Sequence, residues 1–132
     1  MNAPTAAAHL LPAIALRDVP QALLDALQAR LRAFAAERHW QPFHTPKNLS
    51  MALMVEAAEL AEIFQWMTPE QSLAAAGDPA LKDPIADEVA DVLLYLLQIA
   101  DHAGVDLAQA VENKLRKNAV KHPVPDGDSK QK

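Results

Sequence analysis

The 132-residue sequence has no cysteine and only three glycines. The absence of cysteine excludes disulfide bridges, zinc–thiolate sites and thiol catalysis, and it fits a reducing compartment such as the cytoplasm. The few glycines are not accompanied by the alternating Val, Ile and Thr that strands need. Hydrophobic residues make up 51% of the chain, and most of them are Ala and Leu. These features predict an all-α protein.

Clustered positive charge and long apolar runs are also missing. The net charge of -5 argues against binding of a nucleic acid polymer, because phosphate neutralisation needs clustered Lys and Arg. Free nucleotides carried with a metal ion are still allowed. No uncharged apolar stretch approaches the roughly 18 residues of a membrane span, so we expect no membrane partner. The N-terminus lacks a basic region and its apolar run contains Pro12, so we expect no signal peptide.

Helical periodicity predicts one helical domain over residues 20–122, between a flexible segment 1–19 and a disordered tail 123–132. The expected helices run from Gln21 to about His39, from Pro46–Asn48 to about Trp66, briefly from Pro69, from Asp83 to about Ala103, and from Asp106 to about Lys121. Asp83 is predicted as an N-cap before Pro84, and Asp106 to Gln109 resembles a capping box. The short loops favour a four-helix bundle of antiparallel neighbours.

The central segment combines many acids with almost no cations. Between Asn48 and Asn113 there are twelve Asp and Glu residues but one Lys or Arg, Lys82. Glu56 and Glu59 share one helix face, and Glu88 and Asp91 share another, because residues three apart lie on the same side of a helix. If the two faces oppose, the four carboxylates repel one another unless something neutralises them. Solvent, protonation or a metal ion could do so, and Mg²⁺ is a hard cation that prefers oxygen ligands.

Competing interpretations of these acids differ in what they require. A single Glu-x-x-Glu pair is usually a solvated helix face, whereas two pairs on apolar helices favour a metal site. Di-iron bundles need Glu-x-x-His, which is absent at these acids, and no Gly-rich phosphate loop exists. Asp101-His102 has the reverse order of the His-Asp phosphohydrolases. Phosphate chemistry with an attacking water is the leading hypothesis. A non-catalytic interaction module and a nucleotide sensor are the alternatives.

Four motif blocks between about Phe34 and Pro123 resemble the MazG-like all-α nucleoside triphosphate pyrophosphohydrolases, and most of all their dCTP pyrophosphatase branch. The blocks are Trp40-x-x-Phe43-His44-x-Pro46-Lys47-Asn48-Leu49, Glu56-x-x-Glu59-Leu60-x-Glu62-x-Phe64-Gln65-Trp66, Glu88-x-x-Asp91-Val92-Leu93-x-Tyr95-Leu96, and Lys114 with Asn118. The resemblance implies cleavage of a nucleoside triphosphate, such as dCTP or a modified dCTP, to the monophosphate and pyrophosphate. The implied role is cleansing of the nucleotide pool.

The resemblance also implies roles for individual residues. Mg²⁺ would be held by Glu56, Glu59, Glu88 and Asp91, and either Glu56 or Glu59 would orient the attacking water as general base. The substrate would contact Trp40, Phe43, His44 and Trp66 around the base, Lys47, Lys114 and Asn118 at the phosphates or sugar, and Tyr95 at the sugar or a ligand carboxylate. Leu31 stands where the cytosine-preferring animal relatives have His, so the resemblance leaves the base preference open.

Subunit assembly is suggested by the predicted helix that contains Glu88. Its residues Val92 to Ile99 are apolar on more sides than one neighbouring helix can cover. The pattern therefore predicts a subunit interface, and the family resemblance implies a homodimer or a homotetramer.

Overall fold

A computed structural model describes residues 21–125, which form five α-helices and two short 3-10 turns and contain no β-strand. The helices are α1 (Gln21–Glu37), α2 (Pro46–Phe64), α3 (Pro69–Ala74), α4 (Pro79–Ala103) and α5 (Leu107–Lys121). The predicted all-α class is therefore confirmed. None of these helices is both long and apolar enough to cross a membrane. Segment 1–19 and most of the tail 123–132 lie outside the described residues, so the domain limits stay predictions.

Side-chain caps fix where the helices begin. Thr45 accepts a hydrogen bond from the Asn48 backbone at 3.2 Å, so α2 begins at Pro46, as its sequence predicts. Thr68 and Gln71 form a reciprocal capping box at the start of α3, which the sequence analysis missed. Asp106 caps α5 by accepting from the Gln109 backbone at 3.0 Å. The Gln109 side chain does not complete a capping box there, because it donates to Asn113 instead.

Helix α4 begins five residues earlier than predicted. Its N-cap is Asp78, which accepts a hydrogen bond from the Ala80 backbone at 2.9 Å, and Pro79 is the first helical residue. Asp83 is therefore not the N-cap, and Pro84 lies inside the helix, where it lacks an N–H donor. The additional turn is stabilised by the cap and by half-buried Leu81, which shares a face with Ile85. The C-terminal end agrees with prediction, because Gly104 adopts a left-handed φ of 66°.

Helices α1 and α2 each end about two residues earlier than predicted. His39 takes a left-handed φ of 55°, which is incompatible with a continuing helix. Its backbone N–H donates to Ala36, and the Trp40 N–H donates back to Ala35. These two bonds form a Schellman-type ending for α1, so Trp40 turns away from the helix axis. Helix α2 ends at Phe64, and Trp66 follows it in a turn.

The described chain divides into two compact units, Leu24–Val105 and a second unit that contains α5. Within the first unit α2 packs along α4. The side chains of Leu49 on α2 and Leu97 on α4 are almost fully buried, and the remaining buried residues are alanines. Helix α1 contacts α4 through two polar interactions. The Gln28 side chain donates a hydrogen bond to the Leu97 carbonyl at 3.1 Å. Arg32 forms an ion pair with Asp101 at 2.7 Å. The packing of α2 along α4 determines which faces of these two helices meet.

Candidate functional site

The packing of α2 against α4 brings three carboxylates to one point. One oxygen each of Glu56, Glu59 and Glu88 lies within 4.8 Å of the others. Glu56 and Glu88 are half-buried, and Glu59 is exposed. Glu56 and Glu59 come from successive turns of α2, whereas Glu88 comes from α4, so the group exists only because these helix faces meet. We refer to these three residues as the carboxylate cluster.

No cation neutralises the carboxylate cluster within residues 21–125. The three ion pairs found there join Arg32 to Asp101, Arg38 to Glu37 and Arg116 to Glu112. The Glu88 carboxyl also has a buried oxygen, Oε2, without a hydrogen-bond partner. Buried polar atoms of native proteins usually have a partner, so this oxygen is suited to accept a hydrogen bond or to contact a cation.

The electrostatic consequence is a raised proton affinity. Burial raises the pKa of Glu56, and the neighbouring charges of Glu59 and Asp91 raise it further. Burial likewise raises the pKa of Glu88, followed by the charges of Glu59 and Asp91. Both shifts have the sign expected for carboxylates that are partly desolvated beside like charges. Such a group can bind a proton or a divalent cation, and its oxygen donors suit a hard ion such as Mg²⁺.

Asp91 and Tyr95 lie beside the carboxylate cluster on α4. Asp91 is not among the three residues whose oxygens lie within 4.8 Å, but its charge raises the pKa of Glu56 and Glu88. Burial raises the pKa of the Tyr95 phenol, and the charges of Glu56 and Asp91 add to the effect. Tyr95 is therefore a neutral hydroxyl near these acids, able to donate a hydrogen bond to a carboxylate or to a ligand.

The predicted aromatic residues are only partly brought together. The rings of Trp40 and Phe34 meet edge to face with centroids 5.7 Å apart, and the His44 ring lies 6.0 Å from Trp40. Phe43 is exposed, and the Trp66 side chain is 89% exposed at the end of α2. The structure thus groups Trp40 with His44, while Phe43 and Trp66 present open surfaces.

The predicted phosphate-binding side chains occupy two places. Lys47 is exposed in the first turn of α2 and forms no ion pair with any residue of the described range. Lys114 and Asn118 lie four residues apart on α5, and so share one face of that helix. Both residues belong to the second compact unit, the one that contains α5.

A cavity of about 300 Å³ in the unit Leu24–Val105 was missed by the sequence analysis. Its lining includes Leu31 and His44, which the sequence analysis did single out, and Gln98, which it did not. Gln98 follows Glu88, Asp91 and Tyr95 at helical spacing, and this pattern is the signal by which it could have been found.

Comparisons with known proteins agree on one family. The family model described as MazG-like matches residues 51–132. The chain is 40% identical over 108 residues to mouse dCTP pyrophosphatase 1. The aligned residues cover 82% of this chain and 64% of the mouse protein. The chain is 45% identical over 96 residues to the protein of the same name from Bos taurus. This alignment covers 72% of this chain and 57% of the bovine protein. The chain thus spans less than two thirds of the length of these curated relatives.

The fold is also similar to a solved structure. A pyrophosphatase from Archaeoglobus fulgidus superposes with a TM-score of 0.71 at 38% identity. The match covers 76% of this chain and 93% of the archaeal chain. The helical arrangement described above is therefore shared with an experimentally determined structure.

Proposed function

Because this chain belongs to the MazG-like family, we propose that it is a nucleoside triphosphate pyrophosphohydrolase. The observation that carries the proposal is the carboxylate cluster, three acids from two helices without a neutralising cation. Relatives named dCTP pyrophosphatase 1 and a structural neighbour named a pyrophosphatase support it. The proposed substrate is dCTP or a modified dCTP, cleaved to the monophosphate and pyrophosphate. The role is cleansing of the nucleotide pool, in the cytoplasm.

The residues present fit a Mg²⁺ cofactor. The donors are carboxylate oxygens, the ligand type that Mg²⁺ prefers. The unpartnered Oε2 atom of Glu88 and the raised pKa of Glu56 and Glu88 are both consistent with a site built for a cation. Glu56, Glu59, Glu88 and Asp91 would hold the ion. When bound, Mg²⁺ neutralises the phosphate charge and polarises the phosphoryl group that is attacked.

The chain's own residues bind, orient and transfer a proton. Glu59 or Glu56 accepts the proton of the attacking water as general base, which requires a carboxylate within hydrogen-bond reach of that water. The Tyr95 hydroxyl donates to the sugar or to a ligand carboxylate, since its raised pKa keeps it neutral. Lys47 supplies positive charge for the phosphates at the start of α2. The remaining proposed contacts are Trp40, Phe43, His44 and Trp66 at the base and Lys114 and Asn118 at the phosphates or sugar.

The direct test is a substrate panel. Purified protein is incubated with Mg²⁺ and each common nucleoside and deoxynucleoside triphosphate, and the products are identified by phosphorus NMR. We expect monophosphate and pyrophosphate, with the highest kcat/KM for dCTP or a modified form. Release of orthophosphate and a diphosphate would contradict the proposed cleavage position.

Two alternatives are separated by the same panel combined with calorimetry. A nucleotide sensor would bind a triphosphate with Mg²⁺ and not turn it over. A non-catalytic interaction module would show no coupled binding of metal and nucleotide. Turnover of any triphosphate to monophosphate and pyrophosphate would eliminate both.

We also infer that the protein is a homodimer or homotetramer. Val89, Leu93 and Leu96 on α4 are each about half exposed, and their spacing of four and three residues places them on one face. An exposed apolar stripe of this kind is typical of a subunit interface. Size-exclusion chromatography with light scattering should give a multiple of the 14.3 kDa chain mass. Leu93→Glu should shift it to the monomer, and a monomeric wild-type protein would contradict the inference.

A further inference from the structure

Four side chains form a continuous row of ring contacts at the C-terminal end of α1 and in the segment that follows it. The Arg38 guanidinium carbon lies 3.4 Å from the centroid of the Phe34 ring. Phe34 and Trp40 meet edge to face, with their rings inclined at 68°. The His44 ring stands on from Trp40 at a centroid distance of 6.0 Å. Trp40 and His44 are proposed base contacts, whereas no role has been assigned to Phe34 or Arg38.

The backbone at the end of α1 brings Trp40 back towards Phe34. His39 is left-handed, and the Trp40 N–H donates to the carbonyl of buried Ala35 at 2.9 Å. In a helix ending of this type, the residue after the left-handed position commonly contacts an apolar side chain of the last turns. Trp40 and Phe34 are that pair. The backbone position of Trp40 is therefore set by the helix ending, and Phe34 is the neighbour that its side chain meets.

Arg38 holds the Phe34 ring from another side. Its Nη1 atom donates to the Phe34 carbonyl at 3.0 Å and lies 3.4 Å from Oε2 of Glu37. A guanidinium group is planar, so it can stack on a ring and donate hydrogen bonds in its own plane at the same time, which a lysine ammonium cannot do. The Phe34 ring is thus in contact with a guanidinium and with an indole, and both contacts restrict its rotation.

This arrangement orders a side chain that is otherwise open to solvent. Trp40 is 44% exposed and Phe34 is 46% exposed, so neither ring is held by burial in a core. A half-exposed side chain without a fixed neighbour samples several rotamers, and a ligand that needs one of them must bear the entropic cost of ordering it. Contact with Phe34 orders the Trp40 indole before a ligand arrives and leaves part of it accessible.

We propose that Phe34 and Arg38 are positioning residues, the Arg38 guanidinium holding the Phe34 ring and that ring holding the Trp40 indole in the orientation that receives the nucleotide base. This inference rests on the proposed function, in which Trp40 contacts the base. Phe34 and Arg38 act through Trp40 and do not touch the substrate. A purely structural role for the same contacts, as the stop signal of α1, predicts a different outcome in binding experiments.

The test uses three substitutions and a matched control. Phe34→Leu removes the ring and keeps an apolar side chain, whereas Phe34→Tyr keeps the ring. Arg38→Lys keeps a positive charge at the helix end, where it is favourable, and removes the planar group. Arg30→Lys, at an exposed position on α1, is the control for the arginine substitution.

Binding of two ligands is measured by calorimetry in Mg²⁺: the non-hydrolysable α,β-imido analogue of dCTP, and inorganic tripolyphosphate, which has no base. We expect Phe34→Leu to weaken the analogue by about 2- to 10-fold, the cost of ordering one side chain. Arg38→Lys should weaken it by about 2- to 5-fold, the value of an exposed cation–π contact. Phe34→Tyr and Arg30→Lys should bind like wild type. Tripolyphosphate affinity should be the same in all five proteins.

Steady-state kinetics and fluorescence give independent readouts. The KM for dCTP should rise in Phe34→Leu by the same factor as the dissociation constant, while kcat changes by less than about twofold. Trp40 becomes the single tryptophan of the chain in Trp66→Phe, so its motion can be followed without ligand by fluorescence anisotropy decay. Adding Phe34→Leu to that background should introduce a fast component, on the picosecond to nanosecond timescale of free side-chain motion.

The ligands, rather than melting, separate positioning from a structural role, because both roles predict a lower melting temperature for Phe34→Leu. Equal weakening of the dCTP analogue and of tripolyphosphate would overturn the proposal. Unchanged analogue binding in Phe34→Leu, or an anisotropy decay that does not respond to this substitution, would overturn it as well.

Failure of this inference is distinguishable from failure of the proposed activity. If Phe34→Leu selectively loses affinity for the dCTP analogue, the positioning role is supported even where no triphosphate is hydrolysed. If wild type hydrolyses dCTP and Phe34→Leu keeps the wild-type KM, the activity stands and the positioning role fails. A wild type that binds no nucleotide would overturn the proposed function, and the positioning role with it.

Discussion

Replacement of Glu59 by Gln should have opposite effects on activity and on the stability of the metal-free protein. Glu59 belongs to the carboxylate cluster, and its charge raises the pKa of both Glu56 and Glu88. The amide has the same shape but carries no charge. The substitution therefore relieves like-charge repulsion in the metal-free protein and removes one anionic oxygen ligand from the proposed Mg²⁺ site.

The size of each effect follows from the geometry. Loss of a general base or of a metal ligand at the reacting centre should lower kcat by at least about 100-fold. In wild type, free Mg²⁺ at ten times its dissociation constant adds about 1.4 kcal/mol to the free energy of unfolding, a rise of roughly 5 °C in Tm for a chain of this size. In Glu59→Gln this Mg²⁺-dependent rise should largely disappear. Its metal-free Tm at neutral pH should equal or exceed that of wild type.

The assay combines calorimetric melting in chelator and in Mg²⁺ with the rate of pyrophosphate release. Glu62→Gln is the matched control, because Glu62 is an exposed acid one turn further along α2 and is not in the cluster. The control should retain both the activity and the Mg²⁺-dependent rise in Tm. Full activity in Glu59→Gln, or equal loss of Mg²⁺ stabilisation in both variants, would refute the metal-site assignment.

Three further predictions concern stability. Leu97→Ala should lower the free energy of unfolding by about 2–5 kcal/mol in urea titrations, because the side chain is only 1% exposed; a loss under about 1 kcal/mol would contradict the packing of α4. In the metal-free protein, the folded-state pKa of Glu56 and of Glu88 is raised above the ordinary value of 4.5. The stabilisation linked to these shifts is fully present below pH 4.5, and it is lost as the pH rises through the folded-state pKa. The Tm of wild type should therefore fall with rising pH relative to that of the double variant Glu56→Gln/Glu88→Gln, and a parallel pH dependence of the two proteins would argue against the cluster. Asp78→Ala should cost about 1 kcal/mol as the loss of an N-cap, whereas Asp83→Ala should cost much less in the same urea titration; the reverse order would place the start of α4 at Asp83.

Local signals were sufficient for most of the secondary structure. The Thr45 cap, Pro46 and the left-handed Gly104 act within a few residues, so the limits they set agree with prediction. The start of α4 was mispredicted because two Asp-Pro pairs compete, and local rules do not rank them. Packing of Leu81 and Ile85 favours the earlier pair.

The spacing of the acids by itself determined which carboxylates share a helix face, and the motif blocks determined the family. Which faces meet is a property of the tertiary structure, because helical periodicity fixes the direction of a side chain relative to its own helix axis only. Packing of α2 against α4 brought Glu56, Glu59 and Glu88 within 4.8 Å and left Asp91 beside them. Residues of α1, of the segment that follows it and of α4 line the cavity, and Gln28 on α1 donates a hydrogen bond to the Leu97 carbonyl on α4. Neither feature has a local cause, since each depends on contacts between residues far apart in the chain.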